Sequence, residues 1–81
     1  SAVNCVDYQD AYKGWSIVVT TAVWSLGEPP RDRVVPSVAV IPPSRSQQHF
    51  VEVGGGAAFL DIGGARQHGM IVAKRHIDAQ R

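Results

Sequence analysis

Apolar residues recur at helical spacing near the end of the chain, across residues 60–79. They follow one another at intervals of three, four and one, which matches one face of a helix with 3.6 residues per turn. Asp61 is placed to cap the first turn, while Gly63 and Gly64 weaken it, so we expect a frayed start. The apolar positions are Ile62, Ala65, Gly69, Val72, Ala73, His76 and Ile77.

Upstream of this helix, three segments have the composition and the two-residue alternation of β-strands. They cover residues 12–24, 34–41 and 49–53, and the first is rich in β-branched and aromatic side chains. Proline-rich loops separate them, because proline removes a backbone donor and cannot sit inside a central ladder. The order predicts an α+β fold, a three-stranded antiparallel sheet with one C-terminal helix packed on one face (βββα).

The chain is long enough for one domain with one modest core. Residues 1–11 show no clear period and carry two aspartates, which favours a flexible or loosely docked N-terminal arm. The domain itself is then expected to span residues 12–81.

Net charge, cysteine content and the length of apolar runs limit the classes of protein to which this chain can belong. The net charge is +1, which argues against a protein that seeks polyanions strongly. Cys5 is the sole cysteine, so no internal disulfide can form, and a reducing compartment, the cytoplasm, is expected. No apolar run reaches the roughly 18–20 residues of a membrane helix, so no membrane partner is expected.

Two motifs resemble a known family. One is Tyr12-x-Gly14-Trp15-x-Ile17 in the first strand. The other is Phe59-x-Asp61 followed by the helix pattern Ala65-x-x-x-Gly69-x-x-x-Ala73-x-x-x-Ile77-Asp78. Together they resemble the small βββα domains of unknown function found in many proteobacterial proteins. The same order resembles, in topology, the C-terminal part of a double-stranded-RNA-binding domain, but without the lysine cluster that such domains carry at the last helix. Neither resemblance implies a catalytic residue or a cofactor.

Candidate chemical groups are few and scattered along the chain. His68 and His76 are eight residues apart and no cysteine pair supports them, so no metal site is expected. His76 lies in the apolar stripe, which favours a hydrogen-bonded histidine in the core or at its border. Cys5 is interpreted as an inert thiol. With no nucleophile, acid and base in a recognisable spacing, we expect neither an enzyme nor a cofactor.

The polar side of the helix carries Arg66, Lys74 and Arg75. A solvated surface is the ordinary interpretation of such a face. The alternative is a weak nucleic-acid-binding surface, to which Arg31, Arg33 and Arg45 could add charge.

The most informative feature is a surplus of apolar residues. One helix covers one face of a sheet, yet the first strand also carries Val18, Ala22 and Trp24 on its other face. Exposed apolar patches usually mark an interface. Two explanations stay open: a surface that binds a protein partner or a second copy of the chain, or a face covered by residues 1–11. The sequence therefore predicts a non-catalytic binding or assembly module that acts through a sheet face.

Overall fold

The structure is a computed structural model and describes residues 2–54 and 58–80. Four strands form one antiparallel sheet in the order β1-β2-β3-β4, and a single helix follows them. The α+β class, with an antiparallel sheet and one C-terminal helix, is confirmed. The elements are β1 (Ala2–Tyr12), β2 (Trp15–Leu26), β3 (Arg31–Ile41), β4 (His49–Val51) and α1 (Ile62–Asp78).

The prediction of a flexible N-terminal arm was wrong for residues 2–11, which pair with β2 along its length as strand β1. Lys13 and Gly14 make the connection, with φ angles of 51° and 83°. Such a pair of left-handed residues closes a two-residue hairpin, and glycine is favoured there because it lacks a Cβ. Residue 1 lies outside the described residues. The sheet therefore gains a strand beyond the three that were predicted.

The outer edge of β3 is covered in two places. The short strand β4 pairs with Val38, Ala39 and Val40. Farther along, Phe59 exchanges two backbone hydrogen bonds of 2.8 Å with Val34. These pairings hold the segment before the helix against the sheet.

The core lies between α1 and the two central strands. Ile17, Val19 and Val40 are its largest fully buried side chains, and each stabilises the fold by about 1.5–3 kcal/mol through removal from water. The helix faces them with small residues, which let its axis approach the sheet. Its buried positions are Ala65, Gly69, Ala73 and Ile77.

The start of the helix is capped as the sequence predicts. The Gly64 backbone N–H donates to Asp61 Oδ1 over 2.6 Å, which satisfies one of the free donors of the first turn. The expected fraying was wrong, since Gly63 and Gly64 are both helical. The cap compensates for part of their low helix propensity.

Candidate functional site

The sheet has one face with no helix on it, which we call the open face. In β2, Ile17, Val19 and Thr21 are buried against the helix, so the even-numbered residues between and beyond them lie on the open face. No helix or strand packs on this face in residues 2–54 and 58–80. Its side chains are therefore available to a partner.

Register across the strands divides the open face into two apolar patches. What we call the Phe50 patch lies toward β4, and what we call the Trp24 patch lies toward the β2–β3 turn. A polar row of Asp7, Thr20 and Ser37 separates them, and the Thr20 hydroxyl donates to Asp7 Oδ1 over 2.9 Å. The Phe50 patch contains Val18, Ala39, Ile41 and Phe50; the Trp24 patch contains Ala22, Trp24 and Val35.

The three predicted interface residues share the open face but not one patch. Val18 belongs to the Phe50 patch, whereas Ala22 and Trp24 belong to the other. Val18 and Trp24 lie six positions apart in β2, which is about 20 Å along a strand. Residues 2–11 do not cover this face, as one explanation proposed, because they lie beside β2 in the same sheet.

Phe50 is the surface residue that the sequence analysis missed. Its side chain is 79% exposed and belongs to the three-residue strand β4. Alternation was the available signal: with His49 and Val51 directed to the helix side, Phe50 must lie on the open face. Its neighbour in the register is Ala39.

Two of the three basic side chains of the helix contact aromatic rings of β1. The Arg66 guanidinium is 4.7 Å from the centroid of the Tyr8 ring, and Lys74 Nζ is 5.4 Å from that of Tyr12. Both contacts are cation–π interactions. All three basic residues are exposed, and the two that contact β1 stabilise its packing against α1.

An ion pair joins the β1–β2 turn to the end of the helix. Lys13 Nζ lies 2.7 Å from Asp78 Oδ1, and the Tyr12 hydroxyl donates to the same oxygen over 3.1 Å. The hydrogen bond from Lys13 holds the pKa of Asp78 below its usual value, and the hydrogen bond to Asp78 raises the pKa of Lys13. Both side chains are largely exposed, so the pair stabilises the fold only weakly.

Two histidines that are distant in sequence are brought together. His49 Nδ1 and His76 Nε2 lie 2.9 Å apart, and the Trp15 ring packs edge-on against His49 with centroids 5.3 Å apart. The expectation that His76 is a hydrogen-bonded histidine in the core or at its border is confirmed, with His49 as its partner. His68 instead lies 3.3 Å from the Val53 carbonyl oxygen.

The other candidate side chains of the described residues form no catalytic or metal-binding cluster. Cys5 is a free, exposed thiol on β1. Across the described part of the chain, no three His, Cys, Asp or Glu side chains are grouped so that they could hold a metal ion. No described helix is both long and apolar enough to cross a membrane.

No family model, curated protein or solved structure matches this chain.

Proposed function

We propose that this domain is a non-catalytic binding or assembly module that acts through the open face. The observation that carries the proposal is the uncovered Phe50 side chain, 79% exposed beside three further apolar residues. Apolar surface left in water costs about 25 cal/mol per Å², and a partner that covers it recovers this free energy. Burial of the Phe50 patch is therefore the driving force for binding.

A second copy of the chain is the first candidate partner. Two apolar patches flank a polar row on the same face, so a two-fold axis near that row would pair each patch with a patch of the other copy. Trp24 and Phe50 would serve as anchors, since aromatic side chains are enriched at the centres of interfaces. A different protein with a complementary apolar surface is the other candidate, and a reducing compartment such as the cytoplasm suits the exposed thiol of Cys5.

Sedimentation velocity over a wide concentration range tests the proposal. Phe50→Ser and Trp24→Ser should each weaken self-association at least about tenfold, equivalent to 1.4 kcal/mol. Ile71→Ser is the matched control, because Ile71 is 42% exposed but lies on the outer face of α1, on the other side of the sheet from the open face. Its self-association should equal that of the unmodified chain.

A chain that stays monomeric up to millimolar concentration would exclude the second copy as partner. The other candidate, a different protein, is then tested by measuring how tightly the partner isolated from the native cell binds the unmodified chain and the same three variants. Equal losses from Phe50→Ser and Ile71→Ser would show that general hydrophobicity, rather than the open face, drives association.

Weak nucleic-acid binding is the second candidate function. The observation that favours it is the row of Tyr8 with Arg66 and Tyr12 with Lys74 along β1, since cations and aromatic rings together bind single strands. Titration with single-stranded and duplex RNA and DNA at low salt tests it, and Arg66→Ala and Lys74→Ala should each weaken binding. Affinity that does not fall as salt rises would rule out phosphate contacts.

A further inference from the structure

The outer edge of β1 carries backbone groups that no other strand pairs with. Strand β1 is the first in the order of the sheet, so one side of it is paired with β2 and, within residues 2–54 and 58–80, the other side is not. An uncovered edge is a template for another strand, because its N–H and C=O groups still need partners. We propose that β1 of a second copy of the chain pairs antiparallel with this edge, across a two-fold axis beside Val6.

Two hydrogen bonds show which backbone groups of β1 face outward. The Thr21 hydroxyl donates to the Val6 carbonyl oxygen over 3.2 Å, so this carbonyl faces β2. The Ala11 N–H donates instead to the Asp10 side chain over 2.8 Å. Because the direction of the N–H and C=O groups alternates along a strand, the even-numbered residues between 5 and 10 bond β2 and the odd-numbered ones face outward. The outward-facing backbone groups are those of Cys5, Asp7 and Gln9.

Both ends of this edge are less suited to a further strand. The register shifts between Ala2 and Asn4, and irregularities of this kind disturb strand pairing. At the other end, the Asp10 carboxylate already accepts the Ala11 N–H. The part of the edge that remains regular and unpaired is therefore residues 5–9, which we call the free edge.

Charge and hydrogen bonding select one register for two copies of the free edge. An axis beside Asp7 would place the two Asp7 carboxylates directly opposite each other, which is destabilising. An axis beside Tyr8 would pair Cys5 with Ala11, whose N–H is already bonded. With the axis beside Val6, Cys5 of each copy lies opposite Asp7 of the other. Each such pair exchanges both of its N–H···O=C bonds, so the free donors and acceptors at the centre of the edge are satisfied.

The side chain beside the axis suits contact between copies. Val6 is 44% exposed, and in this register it faces its own copy at a non-hydrogen-bonded position, with the Cα atoms about 4.5 Å apart. It pairs with the buried Thr21 and therefore lies on the helix side of the sheet. The contact is thus separate from the open face. A two-fold axis also supplies the matching edge without any other component, and it joins the open faces of both copies into one surface.

Sedimentation velocity of the full chain under reducing conditions tests the proposal. Phe50→Ser is present throughout, so that association through the open face is suppressed and the remaining dimer reports on the edge. Cys5→Pro removes an outward N–H and should raise the dimer dissociation constant at least about tenfold, whereas Cys5→Ala keeps that N–H and should leave the constant unchanged. Ala11→Pro is the matched control, because the N–H that it removes lies outside the free edge. It should also leave the constant unchanged.

Amide hydrogen exchange provides a readout that needs no proline variant. In the Phe50→Ser chain, the Cys5 and Asp7 amides should exchange freely at low concentration and become protected as the dimer forms. The Tyr8 amide bonds β2 and should be protected at every concentration. Circular dichroism confirms that the proline variants fold, and the exchange data decide the question if either does not.

Three outcomes would overturn the proposal. They are a chain that stays monomeric up to millimolar concentration, edge amides that gain no protection as concentration rises, and equal losses of affinity from Cys5→Pro and Ala11→Pro. Self-association that Phe50→Ser abolishes entirely would also overturn it, while leaving the open face as the binding surface. Pairing that persists in Phe50→Ser and is lost in Cys5→Pro would establish the edge as a second, independent interface.

Discussion

Gly69 of the helix lies directly against Val19 of β2: a Cβ added at position 69 would stand 2.7 Å from Val19 Cγ1. This separation is well inside van der Waals contact, so any side chain at this position pushes the helix from the sheet. We predict that Gly69→Val destabilises the fold by roughly 1–3 kcal/mol through overpacking. Gly69→Ala should also destabilise it, although alanine is the better helix former. Chemical denaturation measures both changes.

Gly63 is the matched control for Gly69. A Cβ at position 63 meets Asp61 Oδ1 at 3.5 Å, an ordinary contact. Gly63→Ala should therefore stabilise the chain by about 0.5–1 kcal/mol, through helix propensity and a less flexible unfolded state. If both alanine variants shift the denaturation midpoint in the same direction, close helix–sheet packing does not explain the glycine at position 69.

The helix and the central strands could be predicted because each follows one strong period. The buried positions Ala65, Gly69, Ala73 and Ile77 all belong to the predicted apolar stripe. In β2, Ile17, Val19 and Thr21 alternate with residues such as Val18 and Ala22 that were predicted to lie on the other face, and all three are buried. Here the periodic signal and tertiary packing agree.

Strand β1 was missed because an edge strand leaves a weak pattern. Of its side chains, Cys5, Val6 and Asp7 are all exposed, so burial imposed no alternation that the sequence could show. Lys13-Gly14 was the available signal, since a pair of residues suited to left-handed φ predicts a tight hairpin. The His49–His76 contact could not be predicted either, because it depends on where the chain between β4 and α1 returns to the sheet.

Asp61 stabilises the start of the helix by capping it. Its carboxylate accepts the Gly64 N–H over 2.6 Å at the start of a helix that has two glycines in its first turn. Asp61→Ala should cost about 1 kcal/mol of stability, and Asp61→Asn or Asp61→Ser should retain most of it. Thermal melts followed by circular dichroism measure the difference. Equal losses in all three variants would point to the charge of Asp61 at the helix amino terminus rather than to the capping hydrogen bond.

The Lys13–Asp78 pair predicts a small pH dependence of stability. The pKa of Asp78 is below 3.8 in the folded chain because Lys13 donates a hydrogen bond to it. Its contribution is therefore present above pH 3.8 and is lost as the pH falls through the folded value. The pKa of Lys13 is above 10.5, so its contribution is complete below pH 10.5 and is lost as the pH rises through the folded value.

Asp78→Asn and Lys13→Met should each reduce the loss of stability both in acid and in alkali, because each removes one partner of the pair. Urea denaturation at a series of pH values measures both. Asp32→Asn is the control for the change in net charge, because the Asp32 side chain makes no ion pair within the described residues. If stability falls as steeply with acid in Asp78→Asn as in the unmodified chain, the pair has no such role. The same conclusion follows if Asp32→Asn reduces the loss in acid equally.

Proline substitution tests the position of β1 at the edge of the sheet. A two-residue hairpin is closed by a hydrogen-bonded pair, here Tyr12 with Trp15. Alternate residues then direct their backbone N–H groups toward β2, Asp10 among them, while that of Gln9 points away from the sheet. The Ala11 N–H should also point away from β2. It donates a hydrogen bond to Asp10 Oδ1 over 2.8 Å instead of to β2, which agrees with this alternation.

Asp10→Pro should therefore be strongly destabilising, by about 3 kcal/mol or more, because it removes a ladder hydrogen bond. Gln9→Pro should cost much less, since the N–H that it removes has no partner strand. Both side chains are exposed. Asp10→Ala, which removes the side-chain acceptor of the Ala11 N–H but keeps the ladder hydrogen bond, separates the side-chain loss from the backbone loss. Hydrogen exchange of the β2 amides gives a second measure: protection should fall in Asp10→Pro and persist in Gln9→Pro. Equal melting temperatures for the two variants, with equal hydrogen-exchange protection of the β2 amides, would be incompatible with β1 as a paired edge strand.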